Sequence, residues 1–193
     1  MPHSQRRQPS ALSLIVGLAA LVAPALHTAS DLVEWYQDGF SSPQLWLNYA
    51  AFLPMPWLLV GIVAVHVPRP ALTALLGAIL YGYAFVYFAH TTLYALSEQV
   101  QSYAALWERL GAAYTVHGAL MACGGLLFAW PVLRAGWLPR FATVLFLSGI
   151  LMNLALWILP APEILQTLGS AVRNAGLIAM GYAIVFPRNR APT

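Results

Sequence analysis

Residues 76–98 read LGAILYGYAFVYFAHTTLYALSE, which is long and apolar enough to cross about 30 Å of hydrocarbon as one helix. Five polar or aromatic side chains recur along this helix at spacings of four, three, four and four. They are Tyr83, Tyr87, His90, Tyr94 and Glu98. Because residues three and four apart lie on one face of an α-helix, the five form a stripe. Hydrocarbon solvates neither imidazole nor carboxylate, so we expect the stripe to face protein or a water-filled cavity.

The composition around this stretch is that of an integral membrane protein. Of the 193 residues 60% are hydrophobic and 8% are charged, whereas about 25% are charged in soluble domains. All the basic residues are arginine, which together with the many alanines and leucines suggests a GC-rich bacterial genome. The net charge of +3 is spread along the chain without a basic stripe, which argues against a nucleic-acid partner. Cys123 is the single cysteine, so the chain can form neither an internal disulfide nor a cysteine-based zinc site.

Six apolar segments are long enough to span a membrane. They cover residues 11–28, 46–67, 71–96, 112–133, 141–159 and 165–186. The polar stretches between them are short, so neighbouring helices should be antiparallel. We therefore predict an all-α integral membrane protein, a six-transmembrane-helix bundle that forms a single membrane domain over residues 1–193.

The arginines predict how the bundle is oriented, because cytoplasmic loops carry an excess of basic residues. With the N-terminus in the cytoplasm, most arginines fall on the cytoplasmic side and all acidic residues fall on the outer side. The cytoplasmic arginines are Arg6, Arg7, Arg69, Arg134, Arg140, Arg188 and Arg190, while Arg109 and Arg173 break the pattern. This N-in/C-in arrangement places the protein in the bacterial cytoplasmic (inner) membrane with both termini in the cytoplasm.

The first apolar segment also has a second interpretation. Arg6 and Arg7, the apolar run and the sequence Ala23-Pro24-Ala25 resemble a secretory signal peptide with a cleavage site. The run is long for that role. Both interpretations give the remaining five segments the same orientation.

The two larger outer loops carry apolar side chains at helical spacing. In the first loop these are Leu32, Trp35, Tyr36 and Phe40, and in the second Val100, Tyr103, Trp107 and Leu110. Both loops are therefore predicted to contain short amphipathic helices at the membrane interface. Such helices either cover an outward opening or anchor the loops at the membrane surface.

Polar groups within the predicted spans concentrate in the outer half of the bundle. His90, His117 and Asn153 lie roughly 9 Å below the outer ends of their helices, Arg173 and Asn174 lie slightly deeper, and the inner half holds almost no polar group. This one-sided distribution predicts an outward-facing polar pocket. Its predicted ligand-binding residues are Tyr83, Tyr87, His90, Tyr94, His117, Asn153, Arg173 and Asn174. His27 and Asn48 are predicted to lie nearer the surface.

Arg173 is the most informative single residue. An arginine at this depth costs a few kcal/mol on insertion scales, so it should have a partner. Glu98, Glu108 or Glu163 at the outer rim, or an anionic ligand, could supply the negative charge. The alternative role is an internal ion pair that holds the bundle together.

Two backbone features fall at the level of the predicted pocket. Pro54 and Pro56 should interrupt the second helix in its outer half. Gly118, Gly124 and Gly125 remove bulk from the fourth helix, either for tight helix packing or for the approach of a flat ligand.

Three classes of function agree with these residues. The first is a binding or accessory protein whose pocket holds a lipid-like or quinone-like molecule or a partner's helix. The second is an integral-membrane enzyme on a lipid or terpenoid substrate, with His90 or His117 as the candidate acid–base group and Arg173 as an anchor. The third is a b-type cytochrome, in which His90 and His117 ligate haem b and Arg173 pairs with a propionate. The predicted partners of the protein are the lipid bilayer and a hydrophobic small molecule or a membrane-protein partner. No sequence motif fixes a nucleophile or a metal site.

The loop after the fourth segment carries a resemblance. Residues 134–140 read RAGWLPR, and Gly181-Tyr182 follow near the end of the sixth segment. This part resembles small bacterial multi-pass membrane proteins of unassigned function that have an Arg-Ala-Gly-x-Leu-Pro-Arg cytoplasmic turn and a late Gly-Tyr pair. The resemblance covers the C-terminal third of the chain. It implies a multi-pass helical fold and no particular activity.

Overall fold

The computed structural model describes residues 10–66, 71–159 and 163–187, and every regular element in these ranges is an α-helix. This confirms the predicted all-α class. The eight helices are α1 (Ala11–Gln37), α2 (Ser42–Phe52), α3 (Met55–His66), α4 (Leu72–Ser97), α5 (Tyr103–Leu110), α6 (Ala112–Ala135), α7 (Arg140–Ile158) and α8 (Glu163–Val185).

Within the described ranges, five helical stretches are long and apolar enough to cross a membrane. They are α1, the pair α2 and α3 over Ser42–Val65, α4, α6, and residues Ile164–Val185 of α8. The shorter helix α7 is apolar over Arg140–Leu156. These helices support a multi-pass membrane protein, with five spanning candidates where the sequence predicted six.

The long helices form a closed ring. Around it the order is α1, the α2–α3 pair, α4, α6, α7 and α8, and α8 packs back against α1. The short helix α5 packs against α6, and we call that end of the ring the α5 end. Large buried side chains such as Tyr81, Phe128 and Phe146 fill the ring further from the α5 end.

Glycines let neighbouring helices approach backbone to backbone. A Cβ atom on Gly124 of α6 would lie 2.6 Å from the backbone nitrogen of Tyr81 on α4, and one on Gly77 would collide with the backbone of Phe128. A Cβ atom on Gly149 of α7 would collide with the backbone of Arg173 on α8. Small residues at such crossings are typical of membrane helix packing. Gly124 therefore serves tight packing, which was one of its two predicted roles.

Two prolines have different effects on their helices. The predicted interruption of the second span is confirmed, because α2 ends at Phe52 and α3 begins at Met55, on either side of Pro54. Helix α1 instead continues through Pro24. The Pro24 carbonyl accepts a hydrogen bond from the Thr28 hydroxyl at 2.9 Å.

The first predicted amphipathic loop helix is wrong. Residues 29–37 continue α1, which ends only at Gln37, where Asp38 takes a left-handed conformation with φ of 54°. The reason is that residues 28–37 contain neither glycine nor proline, so nothing breaks the helix. The second predicted amphipathic helix is confirmed as α5, and the hydroxyl of Ser102 caps its N-terminus by accepting from the Ala105 amide.

Candidate functional site

A cavity of about 460 Å³ lies inside the ring at the α5 end. Every helix except α3 contributes to its wall. Much of the wall is aromatic, and the aromatic side chains are Phe40, Phe52, Phe85, Phe88, Tyr103, Trp107 and Tyr114. The volume and the apolar lining are those of a small-molecule site, in which a few polar groups fix the orientation of the ligand.

Helix α5 forms part of this wall. Its residues Tyr103, Ala104, Leu106 and Trp107 line the cavity. The helix is held by the indole nitrogen of Trp107, which donates to the Thr115 hydroxyl at 3.1 Å, and by the Tyr103 ring, which packs edge-on against Phe40 at 4.8 Å between centroids. Of the two roles predicted for an amphipathic loop helix, covering an opening therefore fits α5 better than surface anchoring alone.

Arg173 lies at the cavity wall with 2% of its surface exposed. Its Nε and one terminal nitrogen each donate to Asn174 Oδ1 at 3.4 Å, and its other terminal nitrogen donates to Met121 Sδ at 3.4 Å. The guanidinium carbon lies 5.8 Å from the centroid of the Phe85 ring. The hydrogen-bond partners of this buried cation are therefore uncharged groups.

His27 connects Arg173 to a carboxylate. Its Nδ1 atom lies 3.3 Å from an Arg173 terminal nitrogen and 3.3 Å from Asn174 Nδ2, and its Nε2 atom lies 3.5 Å from Asp31 Oδ1. Because guanidinium and amide nitrogens can only donate, Nδ1 must accept and the ring proton belongs on Nε2. Asn174 is oriented by its other bond, in which Nδ2 donates to the Thr28 hydroxyl at 3.0 Å. His27 is thus assigned as a neutral imidazole that donates to Asp31.

Asp31 and Glu34 bring two carboxyl groups to the same cavity, and both are buried. The Tyr103 hydroxyl donates to Asp31 Oδ1 at 3.5 Å. Burial, and next to it the carboxyl of Asp31, hold the pKa of Tyr103 well above its usual range, so its hydroxyl remains a donor. We call His27, Asp31, Glu34, Arg173 and Asn174 the buried polar cluster. With both carboxyl groups ionised, it would hold two negative charges and one positive charge.

The structure brings together only some of the predicted pocket residues. Arg173 and Asn153 line the cavity. Asn174 is fully buried behind Arg173, to which it is hydrogen-bonded. Asn153 donates to the Ser170 hydroxyl at 3.2 Å, which joins α7 to α8 at the cavity wall.

The predicted stripe on α4 does not face the cavity. His90 is exposed, 57% of the Tyr83 surface is exposed, and Tyr87 stacks on His117 of α6 at 3.6 Å between ring centroids. His117 Nδ1 lies 2.7 Å from the Ala113 carbonyl oxygen of its own helix. The remaining member of the ligand-binding set, Tyr94, is half-buried beside the cluster around Leu106.

The expectation that His90, His117 and Arg173 share one cavity is therefore wrong. A different face of α4 lines the cavity, with Phe85, Phe88, Thr91, Thr92 and Ala95. The physical reason is that α4 approaches α3 and α6 through its smallest residues, such as Gly77 and Gly82. Close packing at these positions fixes the rotation of α4 about its axis, and that rotation leaves the stripe on the periphery.

The predicted rim partners of Arg173 are also wrong for Glu98 and Glu108. Both are exposed, whereas Arg173 is buried. The side chain of Glu163 lies outside the described ones. The acidic groups that share the cavity with Arg173 are instead Asp31 and Glu34.

Sequence reasoning missed His27, Asp31 and Glu34 as cavity residues. Their spacings of four and three place them on one helical face, but only if the helix continues beyond Thr28. The absence of a helix-breaking residue between Thr28 and Gln37 was the available signal.

The described residues include no group of three or more histidine, cysteine, aspartate or glutamate side chains that could hold a metal ion. Comparison with known proteins brings no match, since no family model, no curated protein and no solved structure is significantly similar to the chain.

Proposed function

We propose that this chain is a membrane-embedded binding protein for a lipid-like or quinone-like small molecule. The observation that carries the proposal is the cavity, in which an aromatic wall and one buried polar cluster face the same space of about 460 Å³. The polar head of the ligand would lie at the buried polar cluster and its apolar part along Phe85 and Phe88. A cavity of about 460 Å³ has the volume of a small-molecule site, which suits a small molecule better than a partner's helix.

The bonds of Arg173 in the buried polar cluster affect whether a charged or a neutral ligand head suits it. Arg173 already donates to Asn174, His27 and Met121, so an anionic head would have to displace these bonds. A neutral polar head therefore suits the cluster better than the anionic head that the sequence allowed.

Filling the cavity tests this proposal without removing any polar group. Ala122 lines the cavity and is buried, while Cys123, the next residue of α6, is exposed on the outside of the bundle. Ala122→Phe is expected to reduce the amount of co-purifying ligand, measured by mass spectrometry of the detergent-purified protein, by about tenfold or more, because the ring occupies the ligand volume. Cys123→Phe is the matched control and should leave that amount unchanged. Equal amounts in the two variants would place the ligand outside the cavity.

A second candidate function is an integral-membrane enzyme that acts on a lipid or terpenoid substrate. His27 favours it, because an imidazole held by a carboxylate at a cavity wall is a common acid–base arrangement. His27, held by Asp31, would then exchange a proton with the substrate and would replace His90 and His117 as the acid–base candidate. Arg173 would stabilise negative charge that develops on the substrate.

The b-type cytochrome alternative gains no support from the placement of its two histidines. His90 is exposed, and the His117 ring stacks on Tyr87 while its Nδ1 lies within hydrogen-bond distance of Ala113. An absorption spectrum of the purified protein tests it directly. Haem held by two histidines would give a Soret band that either His→Ala change abolishes.

We further propose that α7 is the sixth span and that the bundle lies N-in/C-in in the bacterial cytoplasmic membrane. Helix α7 has 19 residues, or roughly 28 Å at the helical rise, and the arginine distribution sets the orientation. Reporter fusions after Asp38 and Gln101 are expected to read outside, and fusions after Ala135 and Arg190 inside. An outside signal from the Arg190 fusion would remove one span and contradict this topology.

A further inference from the structure

The side chain of Asn48 presents an unused hydrogen-bond acceptor. Asn48 lies on α2, lines the cavity and is 3% exposed. Its Oδ1 atom is buried and has no hydrogen-bond partner in the part of the chain that the structure describes. Buried carbonyl oxygens are almost always paired, so this atom calls for a donor from outside the chain.

The orientation of this amide is fixed by its surroundings. The Asn48 side chain lowers the pKa of the Tyr103 hydroxyl, as a hydrogen-bond donor beside it does, and that hydroxyl donates to Asp31 Oδ1 at 3.5 Å. Because the Tyr103 proton is directed at Asp31, its oxygen can receive only an N–H from Asn48. The Asn48 amide nitrogen is thereby engaged. The carbonyl oxygen of Asn48 remains available to a donor on a ligand.

The donors of the buried polar cluster are already used. Arg173 donates to Asn174 and His27, Asn174 donates to Thr28, and His27 donates to Asp31. The hydroxyl of Thr92 donates to the Phe88 carbonyl of its own helix at 3.0 Å. The cavity therefore offers an acceptor at Asn48, whereas the donors near it already have protein partners.

We propose that Asn48 selects ligands that carry a hydroxyl or N–H group over otherwise similar molecules that carry only acceptors. This inference rests on the proposed binding function and narrows it, since a quinol would be preferred to the corresponding quinone. A site built to bond a donor rejects an analogue without one, because the buried acceptor is then left unpaired.

Farnesol and farnesyl methyl ether form a matched pair of probes, since they share one apolar chain and differ in a single O–H group. We expect the purified wild-type protein to bind the alcohol at least about tenfold more tightly than the ether, measured by titration calorimetry in detergent. Asn48→Leu should bind the ether as the wild type does and lose the preference for the alcohol. Thr143→Val is the matched control, because Thr143 is buried away from the cavity and its hydroxyl already donates to the Pro139 carbonyl, and it should keep the preference.

The outcomes separate this inference from the proposed function. Equal wild-type affinities for alcohol and ether would overturn the role of Asn48, with water as the partner of Oδ1, and would leave a binding protein. Binding of neither molecule would reject the proposed function and the inference together. The wild-type ratio decides the question even if Asn48→Leu fails to fold.

Discussion

Arg173→Ala is expected to destabilise the folded protein by about 3–5 kcal/mol, the cost typical of removing one partner from a buried set of charges. The change would leave two buried carboxyl groups, Asp31 and Glu34, without the cation that shares their cavity. It would also remove the donors to Asn174 Oδ1 and to His27 Nδ1. Denaturant or thermal unfolding in detergent measures the loss.

Two further variants test whether the loss of stability comes from the buried charges. Arg109→Ala removes an exposed arginine of α5 and is expected to change the stability by less than about 0.5 kcal/mol. Adding Asp31→Asn to Arg173→Ala should recover about 1 kcal/mol or more of the lost stability, because the effects of substitutions at coupled residues are not additive. Strictly additive effects of the two substitutions on stability would show that Arg173 and Asp31 do not interact.

Arg173→Ala also bears on ligand binding. The polar head is proposed to lie at the buried polar cluster, so this change should weaken binding more than Tyr83→Phe, which alters a side chain outside the cavity. An equal effect of the two changes would move the ligand to the periphery of α4.

The helices could be predicted from the sequence because long apolar runs leave little choice of structure in a membrane. The predicted segment 112–133 corresponds to α6 at Ala112–Ala135, and the predicted break in the second span lies at Pro54. Depth along a helix is equally readable, since each residue adds a fixed rise. Arg173 and Asn153 therefore do line a cavity in the half of the bundle where their depth had placed them.

Rotation of a helix about its axis could not be read from its polar residues. The stripe that contains Tyr83, Tyr87 and His90 is a true helical face, but the close approach of α4 to α6 at Gly77 and Gly124 turns another face inward. Helix packing in membranes is decided by small residues that allow contact, because lipid and side chains are equally apolar. A prediction that weighed those glycines as strongly as the tyrosines would have turned Phe85 and Phe88 inward.

The length of α1 was the second feature that could not be predicted from the sequence. The sequence places Asp31 and Glu34 in an outer loop because the first apolar segment ends at Thr28. The helix continues beyond Thr28 because its polar face is buried against the ring and residues 28–37 include neither glycine nor proline. Cavity residues in a membrane bundle can therefore lie beyond the apolar run itself.

His27→Ala is the change expected to show which histidine belongs to the site. It should destabilise the protein by about 2 kcal/mol, because buried N–H groups of Arg173 and Asn174 lose their acceptor and Asp31 loses a donor. His90→Ala should stay within about 0.5 kcal/mol, as is usual for an exposed side chain. A loss at His90 equal to that at His27 would contradict this assignment.

His27→Gln then separates the structural role of His27 from acid–base chemistry. A glutamine side chain can accept from Arg173 through its carbonyl oxygen and donate to Asp31 through its amide nitrogen, so it should restore most of the stability lost in His27→Ala. It cannot exchange a proton near neutral pH. If the protein is a binding protein, His27→Gln should retain ligand affinity, measured by the same titration as the wild type. If it is an enzyme that uses His27, the variant should bind its substrate yet turn it over at least about a hundredfold more slowly, since a positioned acid–base group contributes that much.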